Sequence, residues 1–327
     1  MGDRILSGMR PSGKLHLGHY FGALVNWVKL QDQAKCFYLV ADWHSLTTEY
    51  TDTSLVQENI MDMVIDWLAL GIDPQKSTIF RQSMVKEHAE LHLILSMITP
   101  LSWLERNPTY KEQQQELKNK DLSTYGFLGY PVLQAADIIL YKANKVPVGF
   151  DQLPHLELTR EIARRFNFLY SEIFPVPEAL LTKVPKIVGL DGRKMSKSYG
   201  NSIFLSDDPK IIKKKVSQMI TDPARVKRND PGHPEVCSVF SYHKIYLSTE
   251  EHLRKVENDC RMAQIGCVEC KKKLAQEISE ALTPFREKRR YYVEHIDDVH
   301  DIISYGGERA QCEAAKIMED VRNVIKI

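Results

Sequence analysis

Pro11-Ser12-Gly13-Lys14-Leu15-His16-Leu17-Gly18-His19-Tyr20, residues 11 to 20, follows the apolar run Ile5 to Met9, and its reading decides the rest. The order is a strand, a glycine-bearing turn, and the first turn of a helix with two imidazoles three positions apart. At a helix start the unpaired backbone N–H groups and the dipole favour an anion, and glycine lets a phosphate approach the main chain. Gly18 stands between the histidines, where a side chain would obstruct a flat ring. Taken alone, the pair reads equally well as two solvated histidines near a loop.

A P-loop competes for the same residues. Gly8 to Lys14 spells most of one, and Phe37 to Asp42 would be its acid-ended second strand. That loop needs Ser or Thr after the lysine to hold magnesium, and position 15 is Leu. The balance shifts at Lys194-Met195-Ser196-Lys197-Ser198. Attack of a carboxylate on the α-phosphate of ATP builds negative charge on the phosphoryl group and on departing pyrophosphate. Positioned cations and donors stabilise that charge more than they stabilise bound ATP.

With both segments in view, the chain resembles the class I aminoacyl-tRNA synthetases. His16-Leu17-Gly18-His19 is similar to the HIGH signature, and residues 194 to 198 match KMSKS letter for letter, in the right order and separation. The resemblance implies ATP and Mg2+ as reactants, with the metal held mainly by phosphates and water. It implies that Lys194 and Lys197 neutralise pyrophosphate and that His16 and His19 donate to phosphate oxygens. It also implies nucleotide contacts from Arg10, Pro11, Ser12, Gly18, Ile187, Met195, Ser196 and Ser198, and a lysine in the connector near Gln113 or Lys111.

Composition agrees with a globular enzyme. The chain has 327 residues, 43% hydrophobic and 27% charged, with net charge +1. A nucleic-acid partner must therefore meet a local patch rather than the whole field. No early apolar span resembles a signal peptide and no apolar run reaches membrane length, so a cytoplasmic chain is expected.

Cys36 to Asp42 is a near-continuous apolar run that suits a buried parallel strand. Helical spacing follows from Val56 to Leu68, Ser77 to Phe80 reads as a strand, and Lys86 to Met97 reads as a helix. Strands alternating with helices predict a doubly wound parallel sheet. Ile187 to Leu190 reads as its last strand. From Leu101 to Lys120 the chain is polar, a solvated helix or connector.

Gly129-Tyr130-Pro131 to Tyr141 places Asp137 inside an apolar helix, where an acid is costly without a partner. Capping or ion pairing is one reading. The other is an acceptor for the N–H of an indole, which donates only. Here the sequence is similar to the tryptophanyl-tRNA synthetases in particular, which implies L-tryptophan and tRNA-Trp as substrates and Tyr130, Asp137 and Gln152 as tryptophan contacts. A tyrosine hydroxyl would also serve Asp137, so the tyrosyl enzymes remain an alternative. Gly149-Phe150-Asp151-Gln152 is similar to the family's Gly-x-Asp-Gln, implying that Gly149, Phe150 and Asp151 meet the nucleotide.

The resemblance implies a Rossmann-like catalytic domain over residues 1–203, an α-helical anticodon-binding domain over 204–327, and a homodimer. Lys210, Lys213, Lys214, Lys215, Arg225, Lys227 and Arg228 form a basic run that suits tRNA phosphates or simply a solvated face. Cys237, Cys260, Cys267 and Cys270 form C-x22-C-x6-C-x2-C, a metal-site pattern that fits zinc or a 4Fe-4S cluster. Similar spacing in a bacterial subset of the family implies the cluster. Cys36 and Cys312 fall outside as expected buried singles. Val268 to Glu294 reads as a helix split or kinked at Pro284, and the terminal helix reads as broken at Gly306-Gly307. A catalytically inactive metal-containing RNA-binding protein and a small-molecule adenylyltransferase are the competing classes; intact His16, His19, Lys194 and Lys197 count against the first.

Overall fold

The structure is a computed structural model that describes residues 2–108, 122–181, 187–247 and 249–327. The expected connector contacts at Lys111 and Gln113 lie outside the described residues, as does the side chain of Asp151.

Five parallel strands form one sheet in the order β3-β2-β1-β4-β5: β1 Arg4–Met9, β2 Lys35–Val40, β3 Ser77–Arg81, β4 Lys145–Val148 and β5 Glu178–Leu181. This is the doubly wound parallel arrangement that the alternating pattern predicts. β2 is buried at every position after Lys35, as its apolar run requires. The helices Glu87–Ile98, Tyr125–Ile139 and Leu153–Leu169 close the core, where Phe37, Phe80, Tyr141 and Phe166 are fully buried. Because the strand order reverses between β1 and β4, their carboxyl ends open the crevice where such sheets bind ligands.

Several expectations need correction. Ile187 to Leu190 is not a strand: it holds a single antiparallel bridge, Val188 to Lys194, around the turn Asp191-Gly192. The fifth strand is Glu178–Leu181, too short for its periodicity to register in the sequence. Asp208 caps the helix Pro209–Ser217 by accepting the N–H of Ile211 at 2.8 Å. The split at Pro284 occurs, with helices Cys267–Ala281 and Thr283–Glu294.

The terminal helix, however, runs unbroken from Ile296 to Ile325, with Gly306 and Gly307 buried. A Cβ on Gly306 would lie 1.8 Å from the carbonyl oxygen of Ile79 in β3. Glycine here permits close packing of helix on strand rather than ending the helix. Arg322 pairs with Glu90, and Glu313 with Arg4 and Lys35, so this helix belongs to the sheet.

The chain accordingly forms two compact units that differ from a division at residue 203: residues 1–13, 26–182 and 292–327, and residues 14–25 and 183–291. The terminal helix joins the sheet-bearing unit through its glycine contact. No helix among the described residues is long and apolar enough to cross a membrane.

Candidate active site

Residues 14–25 and 183–291 share one unit, which brings both signature segments together. Backbone hydrogen bonds tie them: Leu17 N–H donates to Ile203 O at 3.0 Å and Leu205 N–H to Leu15 O at 2.9 Å. His16 thereby bridges Phe204 in antiparallel fashion. The rings of His16 and His19 lie 3.8 Å apart. A Cβ on Gly18 would fall 2.8 Å from the His16 ring, so glycine is needed to seat that imidazole, a tighter reason than access for a ligand.

The helix then passes through a π-turn, Tyr20–Leu24, an irregularity frequent at functional sites. Burial, then the positive charge of Lys197, pushes the His16 pKa down to about 4. Burial, His16 and Lys197 push His19 down to about 2. Both are neutral near pH 7 and act as hydrogen-bonding groups rather than cations. The Nδ1 of His16 is buried without a protein partner among the described residues.

The lysine loop is better anchored than its composition suggests. Met195 is 4% exposed and Asn201 3%. Asn201 accepts the N–H of Ser196 at 2.8 Å and donates to Asp191 at 2.7 Å and to the carbonyl of Lys194 at 3.2 Å. Ser196 and Ser198 hydroxyls meet at 2.9 Å. Lys194 is exposed, while Lys197 is half-buried near the two imidazoles. Ile187 is buried in the same unit. Asn201 is missing from the sequence reading; a short polar residue just after a loop signature is the signal that marks it.

The sheet-bearing unit carries the remaining candidates. Arg10, Pro11 and Ser12 follow β1, and Gly149, Phe150, Asp151 and Gln152 follow β4, at neighbouring carboxyl ends. Gln152 is the N-cap residue of the helix Leu153–Leu169. Arg10 reaches Thr48 at 3.4 Å, and Phe150 is exposed. Tyr130 and His155 share a hydrogen bond of 2.8 Å, and Asn107 meets the other nitrogen of that ring at 3.3 Å.

Asp137 is 2% exposed and satisfied by three protein donors: His88 at 2.6 Å, Gln82 at 2.8 Å and His44 at 2.8 Å. Burial alone drives its pKa up, but the His88 charge and the bonds from His44 and His88 prevail and hold it at about 2. It is therefore an acceptor at neutral pH. His88 and Gln82 escape a reading by motif; a histidine on the buried face of an apolar helix is the available signal. An apolar cavity of about 350 Å³ opens beside Tyr130, lined among others by Trp43, Leu46, Tyr50, His92 and Leu133; Asp137 does not line it.

The four candidate cysteines fall in the unit of the signature segments and all carry free thiols. Burial, then Cys237, Cys260, Cys267 and Glu277, raises Cys270 to about 12, so the four sense one another. His243 lies 3.3 Å from the Cys270 sulfur. Among the described residues no group of three or more His, Cys, Asp or Glu is placed to hold a metal ion. Cys36 is buried as expected, but Cys312 is exposed on the outer face of the terminal helix. In the basic run, Lys215 is paired with Asp207 at 2.6 Å and Arg225 is 9% exposed, bonded to the carbonyls of Arg228 and Ile265. Lys210, Lys213, Lys214, Lys227 and Arg228 remain exposed.

Residues 3–283 match the family of class I tRNA synthetases (W and Y). The tryptophan–tRNA ligase of Thermotoga maritima is 57% identical over 325 residues, covering 99% of both chains. That of Aquifex aeolicus is 47% identical over 393 aligned positions, covering 99% of this chain and all of that one. Among solved structures, the tryptophanyl-tRNA synthetase of Campylobacter jejuni complexed with ADP and tryptophan superposes with a TM-score of 0.91 at 36% identity, covering 99% of this chain and 100% of that one. The chain thus belongs to the tryptophan–tRNA ligases, within the class I tRNA synthetases for W and Y.

Proposed function

We propose that this ligase joins L-tryptophan to AMP with the paired imidazoles and the lysine loop acting on one triphosphate, and then acylates the terminal ribose of tRNA-Trp. The observation that carries the reading is the pair of backbone hydrogen bonds, Leu17 N–H to Ile203 O and Leu205 N–H to Leu15 O, that hold the histidine segment against the chain just after the lysine loop. A carboxylate oxygen of tryptophan attacks the α-phosphorus, and the bond to the bridging oxygen breaks as pyrophosphate leaves. Lys194 and Lys197 meet the charge that develops on pyrophosphate, and neutral His16 and His19 donate to phosphate oxygens. Removing one such donor costs about 10² to 10³ in rate. In the second step a ribose hydroxyl attacks the acyl carbon and AMP departs.

Arg10, Pro11, Ser12, Gly149, Phe150, Asp151, Ile187, Met195, Ser196 and Ser198 complete the nucleotide site in this reading. Asp137 accepts the indole N–H, with Tyr130 and Gln152 beside the amino acid. Sites that pair a buried acceptor with a substrate donor reject analogues lacking it by about 10⁴ to 10⁵. The described residues gather no acidic metal site, so magnesium enters with the phosphates of ATP.

The four cysteines suit a 4Fe-4S cluster. The reading rests on the C-x22-C-x6-C-x2-C spacing and on thiols near enough to one another to raise Cys270. Such a cluster would tie the helices Glu250–Arg261 and Cys267–Ala281 together and steady the exposed lysines, in an anticodon-binding region within residues 204–327. Exposed Leu93, Met97, Leu101 and Tyr125 in the sheet-bearing unit supply apolar surface for a homodimer. The setting is cytoplasmic, where tRNA is charged.

Pyrophosphate exchange into ATP with each of the twenty amino acids tests the assignment. Exchange with tryptophan alone is expected; exchange with tyrosine alone, or with none, overturns it.

A further inference from the structure

Asp137 is held by three buried side chains. Its Oδ1 accepts from Nδ1 of His88 at 2.6 Å and from the Gln82 amide at 2.8 Å, and its Oδ2 accepts from Nε2 of His44 at 2.8 Å and from the same Gln82 amide at 3.0 Å. The other nitrogen of His88 lies 2.8 Å from the Tyr141 hydroxyl. An ionised carboxylate only accepts, so His88 carries a proton on Nδ1, and its Nε2 meets the Tyr141 hydroxyl. His88 and Tyr141 are both 0% exposed. Tyr141 is fixed in turn by stacking on Phe37 at 4.6 Å.

We propose that Tyr141 and His88 are positioning residues for amino acid choice: the pair holds Asp137 as a fixed acceptor, so that the site demands a ring bearing an N–H. The inference rests on reading Asp137 as the acceptor of the indole N–H. Selectivity then resides partly in side chains one and two layers behind the contact itself. The ionisable groups around Asp137 are His44 on the helix Asp42–Glu49, His88 and His92 on the helix Glu87–Ile98, and Tyr141, on which Glu87 also acts. With the His88 donor removed, the carboxyl protonates more readily. A protonated carboxyl offers a donor where the indole N–H needs an acceptor.

The experiment is pyrophosphate exchange with tryptophan and with benzothienyl-alanine, which keeps the ring outline and lacks the N–H, from pH 5 to 8. The proteins compared are the native chain, Asp137→Ala, His88→Leu, His88→Asn and Tyr141→Phe. The native preference, as a ratio of kcat/KM values, is expected to be flat across this range and to collapse in Asp137→Ala. His88→Leu is expected to lose about tenfold to a hundredfold of the ratio. That loss falls on KM for tryptophan rather than on kcat and recovers as pH rises. His88→Asn, whose amide can still donate, restores most of the ratio. Tyr141→Phe, which keeps the ring packing, loses about threefold to tenfold.

Folded His88→Leu and Tyr141→Phe proteins with the native ratio and a flat profile, beside a collapsed Asp137→Ala, overturn the proposal and leave the Asp137 reading standing. An unchanged ratio in Asp137→Ala overturns both. Should His88→Leu fail to fold, an unchanged ratio in Tyr141→Phe is decisive against the proposal.

Discussion

The Nδ1 of His19 accepts the backbone N–H of His16 at 3.1 Å, which leaves the Nε2 of His19 as the nitrogen that carries the proton. One backbone contact thereby sets the tautomer of a side chain that donates in the proposed mechanism. Because burial and Lys197 keep both imidazoles neutral, the proposed mechanism uses them as directional N–H groups and leaves the formal positive charge to the lysines.

Stability should fall on mild acidification. The folded pKa values of His16 and His19, about 4 and about 2, lie below the ordinary 6.5. The unfolded chain therefore binds protons that the fold refuses, and stability is lost as pH drops from about 6.5 toward 4. Asp137, lowered from 3.8 to about 2, contributes stability that is lost only below that window. Melting temperatures at pH 7, 6 and 5 are expected to decline, and to decline less steeply in His19→Asn. An equal slope in the variant would contradict the assignment.

Lys197→Ala is expected to lower the rate of pyrophosphate exchange by about 10² to 10³ while tryptophan binding, followed by calorimetry, stays within about threefold. Normal activation by this variant would remove Lys197 from the catalytic machinery.

Gly306→Ala should destabilise the chain by about 1–3 kcal/mol or more, because the new methyl would sit 1.8 Å from the Ile79 carbonyl. Denaturant midpoints measure this directly. A midpoint equal to the native one would mean that the helix stands off the strand.

Purified protein should contain on the order of four irons per chain with acid-labile sulfide. Cys270→Ser should lose most of that iron while keeping the exchange reaction, since amino acid activation transfers no electrons. Stoichiometric zinc, or neither metal, would remove the cluster from the account.

Much of this arrangement was legible in the sequence because its signals are local. The apolar run of β2 specifies a strand buried on both faces, and the signature segments carry their chemistry in four or five letters. What escaped was set by contacts between distant positions. Gly306-Gly307 has the composition of a helix stop, yet the helix continues through both, the bare backbone of Gly306 meeting β3 and that of Gly307 meeting Met84. Ile187 to Leu190 has strand character, yet its chain turns back at Asp191-Gly192 before a ladder forms. The partners of Asp137 come from residues 44, 82 and 88, and only folding reveals which of many polar side chains satisfy a buried acid.

The central claim is that the imidazoles and the lysine loop serve one triphosphate. A double-mutant cycle on the kcat/KM of tryptophan-dependent pyrophosphate exchange, using His19→Asn, Lys197→Ala and the pair, tests it most directly. The account predicts that the double variant loses much less than the product of the single losses, a coupling of at least about 1 kcal/mol. Losses that simply multiply would contradict it.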